Sequence, residues 1–87
     1  MVEEKVIITN SVGLHARPAS TFLRKATQFE SEVILIKEDR EFNGKSIISI
    51  LAMAAKKDTL LTIRCIGKDE VEALSSLVNL VKNDLEI

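Results

Sequence analysis

Residues 13–19 read Gly13-Leu14-His15-Ala16-Arg17-Pro18-Ala19. Pro18 is well tolerated in the first turn of a helix, because the N–H that proline lacks has no helical partner there. We therefore predict that a loop ends and a helix begins within this stretch. His15, the only histidine of the 87-residue chain, then stands at the helix N-terminus. Free backbone N–H groups and the positive end of the helix dipole make such a position suitable for an anion.

The pattern of apolar residues on both sides of this stretch predicts four strands. Residues 4–9 are rich in Val and Ile and precede the loop. Three further segments are also bounded by turn signals, and Asn43-Gly44 ends the second of them: Glu32–Lys37, Arg40–Asn43 and Leu60–Ile66. Short runs rich in β-branched residues are typical of strands. Arg40–Asn43 lacks such residues and is predicted because Glu38-Asp39 is suited to a tight turn that leads into it.

Three helices are predicted between and after the strands. Helical spacing of apolar residues covers 16–27, and Ser46 is suited to cap a short helix from Ile47 to residue 54 or 55. Asp69 with Glu72 resembles a capping box that starts the last helix. The apolar stripe of that helix is predicted to comprise Val71, Leu74, Leu77, Val78, Val81 and Leu85.

The resulting order, β-α-β-β-α-β-α, predicts an α+β fold. A four-stranded antiparallel sheet with the helices on one face would bury the apolar faces of the two long helices together. The other face of the sheet would remain solvated. With 87 residues the chain is expected to form one domain, residues 1–87.

Composition excludes several classes of protein. Hydrophobic residues make up 46% of the chain and the net charge is −1, so a direct nucleic-acid partner is not expected. The longest nearly apolar run, 47–55, is far shorter than the ~20 residues of a membrane-spanning helix, and the N-terminus lacks the basic residues of a signal peptide. Cys65 has no second cysteine to pair with and is predicted to be a buried strand residue. We expect a cytoplasmic protein without membrane contact.

Familiar catalytic and cofactor motifs are missing from the sequence. One histidine and one cysteine, far apart, do not form a zinc site, and no metal or cofactor is expected. The chain contains no Gly-x-Ser-x-Gly elbow, Walker loop or Gly-x-Gly-x-x-Gly fingerprint. Its acidic residues fall mostly at turns and on polar helix faces, which is typical of a solvated surface.

His15 and Arg17 remain as candidates for chemistry. An imidazole can accept a phosphoryl group, and a guanidinium offers a permanent forked donor to phosphoryl oxygens. Phosphoryl transfer demands mainly positioning and charge stabilisation, which a helix start stiffened by Pro18 could supply. The alternative is that His15 is an ordinary residue at the start of a helix.

The short second helix is apolar nearly all round. Only one face of a surface helix packs inward, so some of its residues are expected to form an exposed docking patch: Ile47, Ile48 and Leu51. The alternative is that all of these residues are core. Ser46 likewise has two interpretations, a helix cap or a site where an added phosphate repels an acidic partner.

The stretch Gly13–Ala19 resembles the phosphorylation-site signature of the HPr family, the histidine-containing phosphocarriers of the sugar phosphotransferase system. Lys45-Ser46-Ile47 resembles the start of that family's second helix, and the likeness covers essentially the whole chain. It implies an open-faced β-sandwich with three helices that accepts phosphate at His15 Nδ1 and is not itself an enzyme. The donor would be phospho-enzyme I, and ultimately phosphoenolpyruvate, and the acceptor an enzyme IIA domain.

The same resemblance assigns the other site residues. Arg17 would attend the phosphoryl group, and Ser46 would be modified by HPr kinase/phosphorylase in bacteria that link it to catabolite repression, with a catabolite-control transcription regulator as a further partner. Ile47, Ile48 and Leu51 would dock protein partners, and the protein is expected to be a monomer.

Two positions depart from the family pattern, and three alternatives stay open. Ala54 and Asp58 stand where family members often carry glycine. Alanine at position 54 would stabilise the fold only if its φ is negative, and Asp58 could tolerate a left-handed turn. The alternatives are a nitrogen-branch phosphocarrier, a purely regulatory binding module and a stand-alone enzyme. The presence of His15 argues against the family's regulatory paralogue Crh, which lacks the histidine.

Overall fold

The computed structural model describes residues 1–83 and 85 of the chain. Four strands and three helices follow one another in the predicted order. They are β1 (Val2–Ile7), α1 (Ala16–Ala26), β2 (Glu32–Lys37), β3 (Arg40–Asn43), α2 (Ile47–Ala52), β4 (Leu60–Ile66) and α3 (Glu70–Asn83).

The strands form one antiparallel sheet in the order β1-β4-β2-β3. The last strand of the chain therefore lies between the first two, and its central residue Ile63 faces Glu4 of β1 and Leu35 of β2 in register. Glu38 and Asp39, at φ 51° and 65°, form the tight turn that joins β2 to β3. The α+β prediction and the open-faced sandwich are confirmed.

The core lies between one face of the sheet and the three helices. Alternate strand residues point into it, so Val33, Leu35, Leu61, Ile63 and Cys65 are buried. Phe22 of α1 and Leu77 of α3 are fully buried against them. Burial of Cys65 agrees with the prediction and, together with the nearby carboxylates of Asp69 and Glu70, raises the pKa of its thiol to about 11.

The stripe of α3 differs from the prediction at three residues, one of which, Leu85, is buried but lies beyond the end of the helix at Asn83. Val71 is 68% exposed, whereas Leu80, which was not assigned to the stripe, is buried. Val71 lies in the first turn of α3, near the edge strand β1, and the groove that both line is open to solvent. Helical spacing identifies a face but does not show where the neighbouring sheet ends.

The bounds of three elements also differ, and the smallest difference is in α1, which ends at Ala26, one residue earlier than predicted. β1 begins at Val2, two residues earlier than predicted, because Val2 and Glu3 pair with Cys65 and Arg64. It leaves the regular ladder after Ile7, and Ile8 instead exchanges backbone hydrogen bonds with Thr59 and Asp58. Helix α2 ends at Ala52 rather than at residue 54 or 55, because the backbone of Ala54 has φ 52°.

The predicted capping box of α3 is replaced by a tertiary contact. The Asp69 carboxylate accepts hydrogen bonds from the backbone N–H groups of Glu30 and Ser31 and from the Ser31 hydroxyl. Asp69 thus ties the start of α3 to the loop between α1 and β2. Across residues 1–83 and 85, no helix is long and apolar enough to cross a membrane.

Candidate functional site

His15 is the residue that precedes α1. Its backbone is extended (φ −83°, ψ −173°), and its carbonyl accepts the first helical hydrogen bond from Ala19 N at 2.8 Å. The imidazole is exposed, and within the described chain it makes no capping hydrogen bond to the helix. The first turn of α1 contains no acidic residue. The side chain is therefore available at a helix start whose positive end faces solvent.

The loop before His15 is held firmly although the imidazole is exposed. Leu14 is buried, and its N–H donates to Ala55 O at 2.9 Å. The buried Asn10 side chain donates through Nδ2 to Gly13 O at 2.7 Å. Gly13 has φ 63°, and a Cβ at this position would lie 2.4 Å from Ala55 O, so only glycine allows the loop to approach the turn after α2 this closely.

Arg17 lies in the first turn of α1, as the sequence predicted. Its side chain is exposed, and its backbone carbonyl accepts a hydrogen bond from Thr21 Oγ1 at 3.1 Å. Pro18 follows and is buried, and it fixes the turn that carries the side chains of His15 and Arg17. The local order His15-Arg17-Pro18 thus places an exposed imidazole and an exposed cation within the first turn at the start of α1.

An open cavity of about 440 Å³ connects His15 to the second helix. It is lined by Val12, Leu14, His15, Ala16, Leu51, Ala54, Ala55 and Lys56. Leu51 thus lines the same cavity as His15, as the docking-patch hypothesis requires. Val12 and Lys56 were missed by sequence reasoning, because only the folding of the 53–59 turn against the His15 loop brings them there.

The apolar residues of α2 divide between core and surface. Ile50 is fully buried, while Ile48 is 78% and Leu51 42% exposed. Ile47 is half-buried and packs against the core, so it offers less surface than the other two predicted patch residues. We use the name α2 patch for the exposed pair Ile48 and Leu51.

Ser46 is the N-cap of α2, as predicted. Its backbone is extended and its Oγ accepts a hydrogen bond from Ser49 N at 3.3 Å. The side chain is half-buried rather than fully exposed. The structure thus places Ser46 at the opposite end of α2 from Ala54 and the His15 cavity.

The two positions that depart from the family pattern both have positive φ. Ala54 has φ 52° and Asp58 has φ 73°. The condition under which Ala54 would stabilise the fold is therefore not met, because a Cβ in the left-handed region is strained. Aspartate tolerates this region better, in agreement with the expectation for Asp58.

Comparisons with known proteins agree with this geometry. The family model of the PTS HPr component phosphorylation site matches residues 2–83. A phosphocarrier protein HPr of Neisseria meningitidis is 41% identical over 81 residues, or 93% of this chain and 91% of the relative. The HPr-like protein Crh of Bacillus subtilis is 38% identical over 85 residues, or 98% of this chain and 100% of the relative.

A solved structure gives the same result in three dimensions. The crystal structure of HPr-C-His from Thermoanaerobacter tengcongensis superposes with a TM-score of 0.95 at 34% identity, covering 98% of this chain and 96% of that chain. The fold and the exposed histidine at a helix start define a small phosphoryl-carrying α+β protein. The chain belongs to the HPr family of phosphocarrier proteins of the phosphotransferase system.

Proposed function

We propose that residues 1–87 form one phosphocarrier domain that takes a phosphoryl group from phospho-enzyme I onto His15 Nδ1 and passes it to an enzyme IIA domain. In each step a new bond to phosphorus forms as the old one breaks, and the leaving nitrogen or oxygen keeps the electron pair. The protein is thus a co-substrate of other enzymes, acting as a cytoplasmic monomer, rather than an enzyme of its own.

The observation that carries this proposal is the exposed imidazole at the open start of α1. The first N–H groups of a helix have no partner within it, and the helix dipole adds a partial positive charge. Since the first turn of α1 holds no acidic side chain, a phosphoryl group on His15 meets no carboxylate there. The family model that matches residues 2–83 is that of the HPr phosphorylation site, which supports the role of the residue.

Arg17 is proposed to stabilise the phosphoryl oxygens. It is exposed in the first turn of α1, one turn or less from the imidazole. A guanidinium presents two parallel N–H donors to an oxyanion, and its charge does not depend on pH in the physiological range. Arg17 would therefore stabilise charge that develops on the group as it is transferred.

The α2 patch is proposed as the docking surface for enzyme I and enzyme IIA. Leu51 lines the same cavity as His15, so a partner seated on the patch would reach the imidazole directly. Ile48 extends the apolar surface away from the cavity. Exposed apolar residues grouped beside a reactive side chain are typical of a protein-binding site.

Ser46 is proposed as a regulatory site for HPr kinase/phosphorylase, with a catabolite-control transcription regulator as the reader of the modified form. A phosphate adds about −1.5 to −2 charges at pH 7. At the cap of α2 these charges are compatible with the fold but lie beside the docking surface. Ser46→Asp should slow phosphorylation of His15 at low salt, and the slowing should shrink as salt screens the charge. Equal rates at low salt would leave Ser46 a plain helix cap.

The decisive experiment is labelling with enzyme I and radioactive phosphoenolpyruvate. We expect label on the wild type that is lost in acid, as a phosphoramidate requires, and none on His15→Ala. The His15→Ala variant should fold normally, because the imidazole makes no capping bond within the described chain. Label on His15→Ala at the rate of the wild type would refute the proposal.

A regulatory binding module is the second candidate. It is favoured by the 38% identity to the HPr-like protein Crh of B. subtilis. In that case Ser46 would be labelled by a serine kinase and the label would survive acid, while enzyme I would label nothing. A nitrogen-branch phosphocarrier would share the His15 label, and a panel of enzyme IIA domains separates it from a sugar carrier.

A further inference from the structure

We infer that Lys37 is a positioning residue for His15, acting through the turn that follows α2. This inference rests on the proposed function of His15 as phosphoryl acceptor. Lys37 lies at the end of β2, outside the first helix and its loop. Its effect would be transmitted by backbone hydrogen bonds, without contact with the phosphoryl group.

The first step of the argument is the direction of the Lys37 side chain. Val33 and Leu35 of β2 are buried on the helix-facing side of the sheet. Because side chains alternate along a strand, Lys37 continues this inward-facing row. The row reaches the edge of the core at this point, and the aliphatic part of Lys37 is covered while its ammonium group emerges beside α2: its side chain is 22% exposed.

The second step is the contact that the ammonium group makes. Lys37 Nζ donates to Met53 O at 2.9 Å and lies 3.4 Å from Ala54 O. These carbonyls belong to the C-terminal end of α2, where helix carbonyls have no helical partner and the dipole is negative. A cation is therefore favoured there, and it holds the two peptide groups on either side of Ala54.

The third step leads from this turn to the imidazole. Ala54 is strained at φ 52°, a conformation that an alanine keeps only when its surroundings impose it. The next residue, Ala55, accepts the 2.9 Å hydrogen bond from Leu14 N, and Leu14 immediately precedes His15. The cation thus holds a strained turn that in turn holds the His15 loop against α2.

The ion pair of Lys37 is a minor part of this arrangement. Its ammonium lies 3.9 Å from an Oε1 of Glu38, whose side chain is 82% exposed. An exposed pair at this distance contributes little. The two carbonyls of the α2 turn are the contacts that matter, and Glu38→Gln is therefore a control that removes the ion pair but keeps them.

The test compares Lys37→Met and Lys37→Gln with Lys37→Arg, Glu38→Gln and Lys68→Met. A methionine keeps the covered stem without the donor, a glutamine is too short to reach both carbonyls, and an arginine restores charge and donors. Lys68→Met removes the same charge from the turn between β4 and α3. Two quantities are measured: hydrogen exchange of the Leu14 amide, and the rate of His15 phosphorylation by enzyme I at saturating and at low donor.

We expect the Leu14 amide to exchange about tenfold faster in Lys37→Met and Lys37→Gln, while the core amides of Leu35 and Ile63 keep their protection. The maximal rate of phosphorylation should fall about tenfold with little change in KM, because the acceptor is misplaced rather than the docking patch. Lys37→Arg should recover both quantities, and the two control variants should match the wild type.

Several results would overturn the inference. These are an unchanged Leu14 amide, a faster amide with an unchanged maximal rate, or a loss confined to KM. A loss shared by Lys68→Met would show an effect of charge alone. If instead the wild type accepts no phosphate, the proposed function itself fails, and the Leu14 amide still reports separately whether Lys37 holds the loop.

Discussion

Helices α1 and α3 begin in opposite ways. The start of α3 carries Glu70 and Glu72 in its first turn. The Glu70 carboxylate accepts from Gly67 N at 3.0 Å and from the N-terminal ammonium of Met1 at 2.8 Å. The start of α1 has no acidic residue in its first turn and presents an exposed histidine.

The difference shows how one electrostatic feature can serve structure or function. The hydrogen bond from the Ser31 hydroxyl is the main cause that lowers the pKa of Asp69, and the backbone N–H groups of Glu30 and Ser31 add to it. The pKa of Glu70 is lowered mainly by the N–H of Gly67 and also by the N-terminal ammonium. These carboxylates complement the dipole of α3 from within the chain. The first turn of α1 holds no such carboxylate, and in the proposed function this position receives the phosphoryl group.

The strongest test of the difference between the two helix starts is to introduce an acidic residue into the first turn of α1. Ala16→Asp places a carboxylate in the exposed first turn of α1. The helix dipole should raise the free energy of unfolding by about 0.3–1 kcal/mol. Repulsion of a phosphoryl group a few ångströms away, about 3–4 kcal/mol at an effective dielectric constant of 20, should slow phosphorylation of His15 by 10²-fold or more. Urea unfolding and phosphorylation kinetics measure the two effects, with Ala16→Asn as neutral control; equal kinetics for both variants would contradict the open-terminus interpretation.

Arg17→Lys tests whether the cation at the start of α1 must be a planar guanidinium. The charge is kept but the forked pair of donors is lost, so phosphoryl transfer to enzyme IIA should slow by about 10- to 10²-fold. Arg24→Lys, in the last turn of the same helix, is the matched control. Transfer rates that agree within error for the two variants would show that any nearby positive charge suffices.

Ile48→Glu tests whether Ile48 contributes to partner binding or to the stability of the fold. Ile48 is 78% exposed, so the free energy of unfolding should change by less than about 0.5 kcal/mol. Loss of an apolar contact at a partner interface should weaken enzyme I binding about tenfold, measured by titration calorimetry. Ile50→Glu, at a fully buried position of the same helix, should instead unfold the protein. Normal binding by a destabilised Ile48→Glu would place this residue in the core.

Asp69→Asn tests the start of α3 through the pH dependence of stability. The pKa of Asp69 in the folded protein lies below its ordinary value of 3.8, so its contribution to stability is present above that value and is lost as pH falls through the folded pKa. The wild-type melting temperature should therefore fall at acid pH more steeply than that of Asp69→Asn. Glu72→Gln, in the same turn, should retain the wild-type slope. If the melting temperatures of wild type and Asp69→Asn fall equally steeply at acid pH, the carboxylate is not stabilised by its partners in the fold.

Ala54→Gly has the smallest expected effect. Glycine relieves the strain at φ 52°, and stability should rise by about 1 kcal/mol, less the greater entropy of the unfolded glycine chain. Ala52→Gly, in the last helical residue of α2, should lower stability by about 0.5–1 kcal/mol. Urea denaturation compares the two. A loss of stability in Ala54→Gly would mean that the alanine is not strained.

Much of the fold could be predicted because local pattern and tertiary packing agree. Three strands, β2, β3 and β4, have the predicted bounds, since each runs between turn signals. In β2 and β4 a high content of β-branched residues adds to the signal. The predicted boundaries of β1, α2 and the stripe of α3 failed at residues whose state depends on a distant neighbour. Val71 is exposed because the sheet ends beside it, and spacing along a helix cannot show that.

The sequence by itself determined the element order and the place of His15 at the start of a helix, because apolar spacing and Pro18 act over only a few residues. Only the tertiary structure decided which distant groups meet. The sheet order β1-β4-β2-β3, the contact of Asp69 with Ser31, and the reach of Lys37 to the turn at Ala54 all join segments far apart in the chain. Such contacts depend on burial and hydrogen bonding across elements, and these forces leave no periodic signal in the sequence.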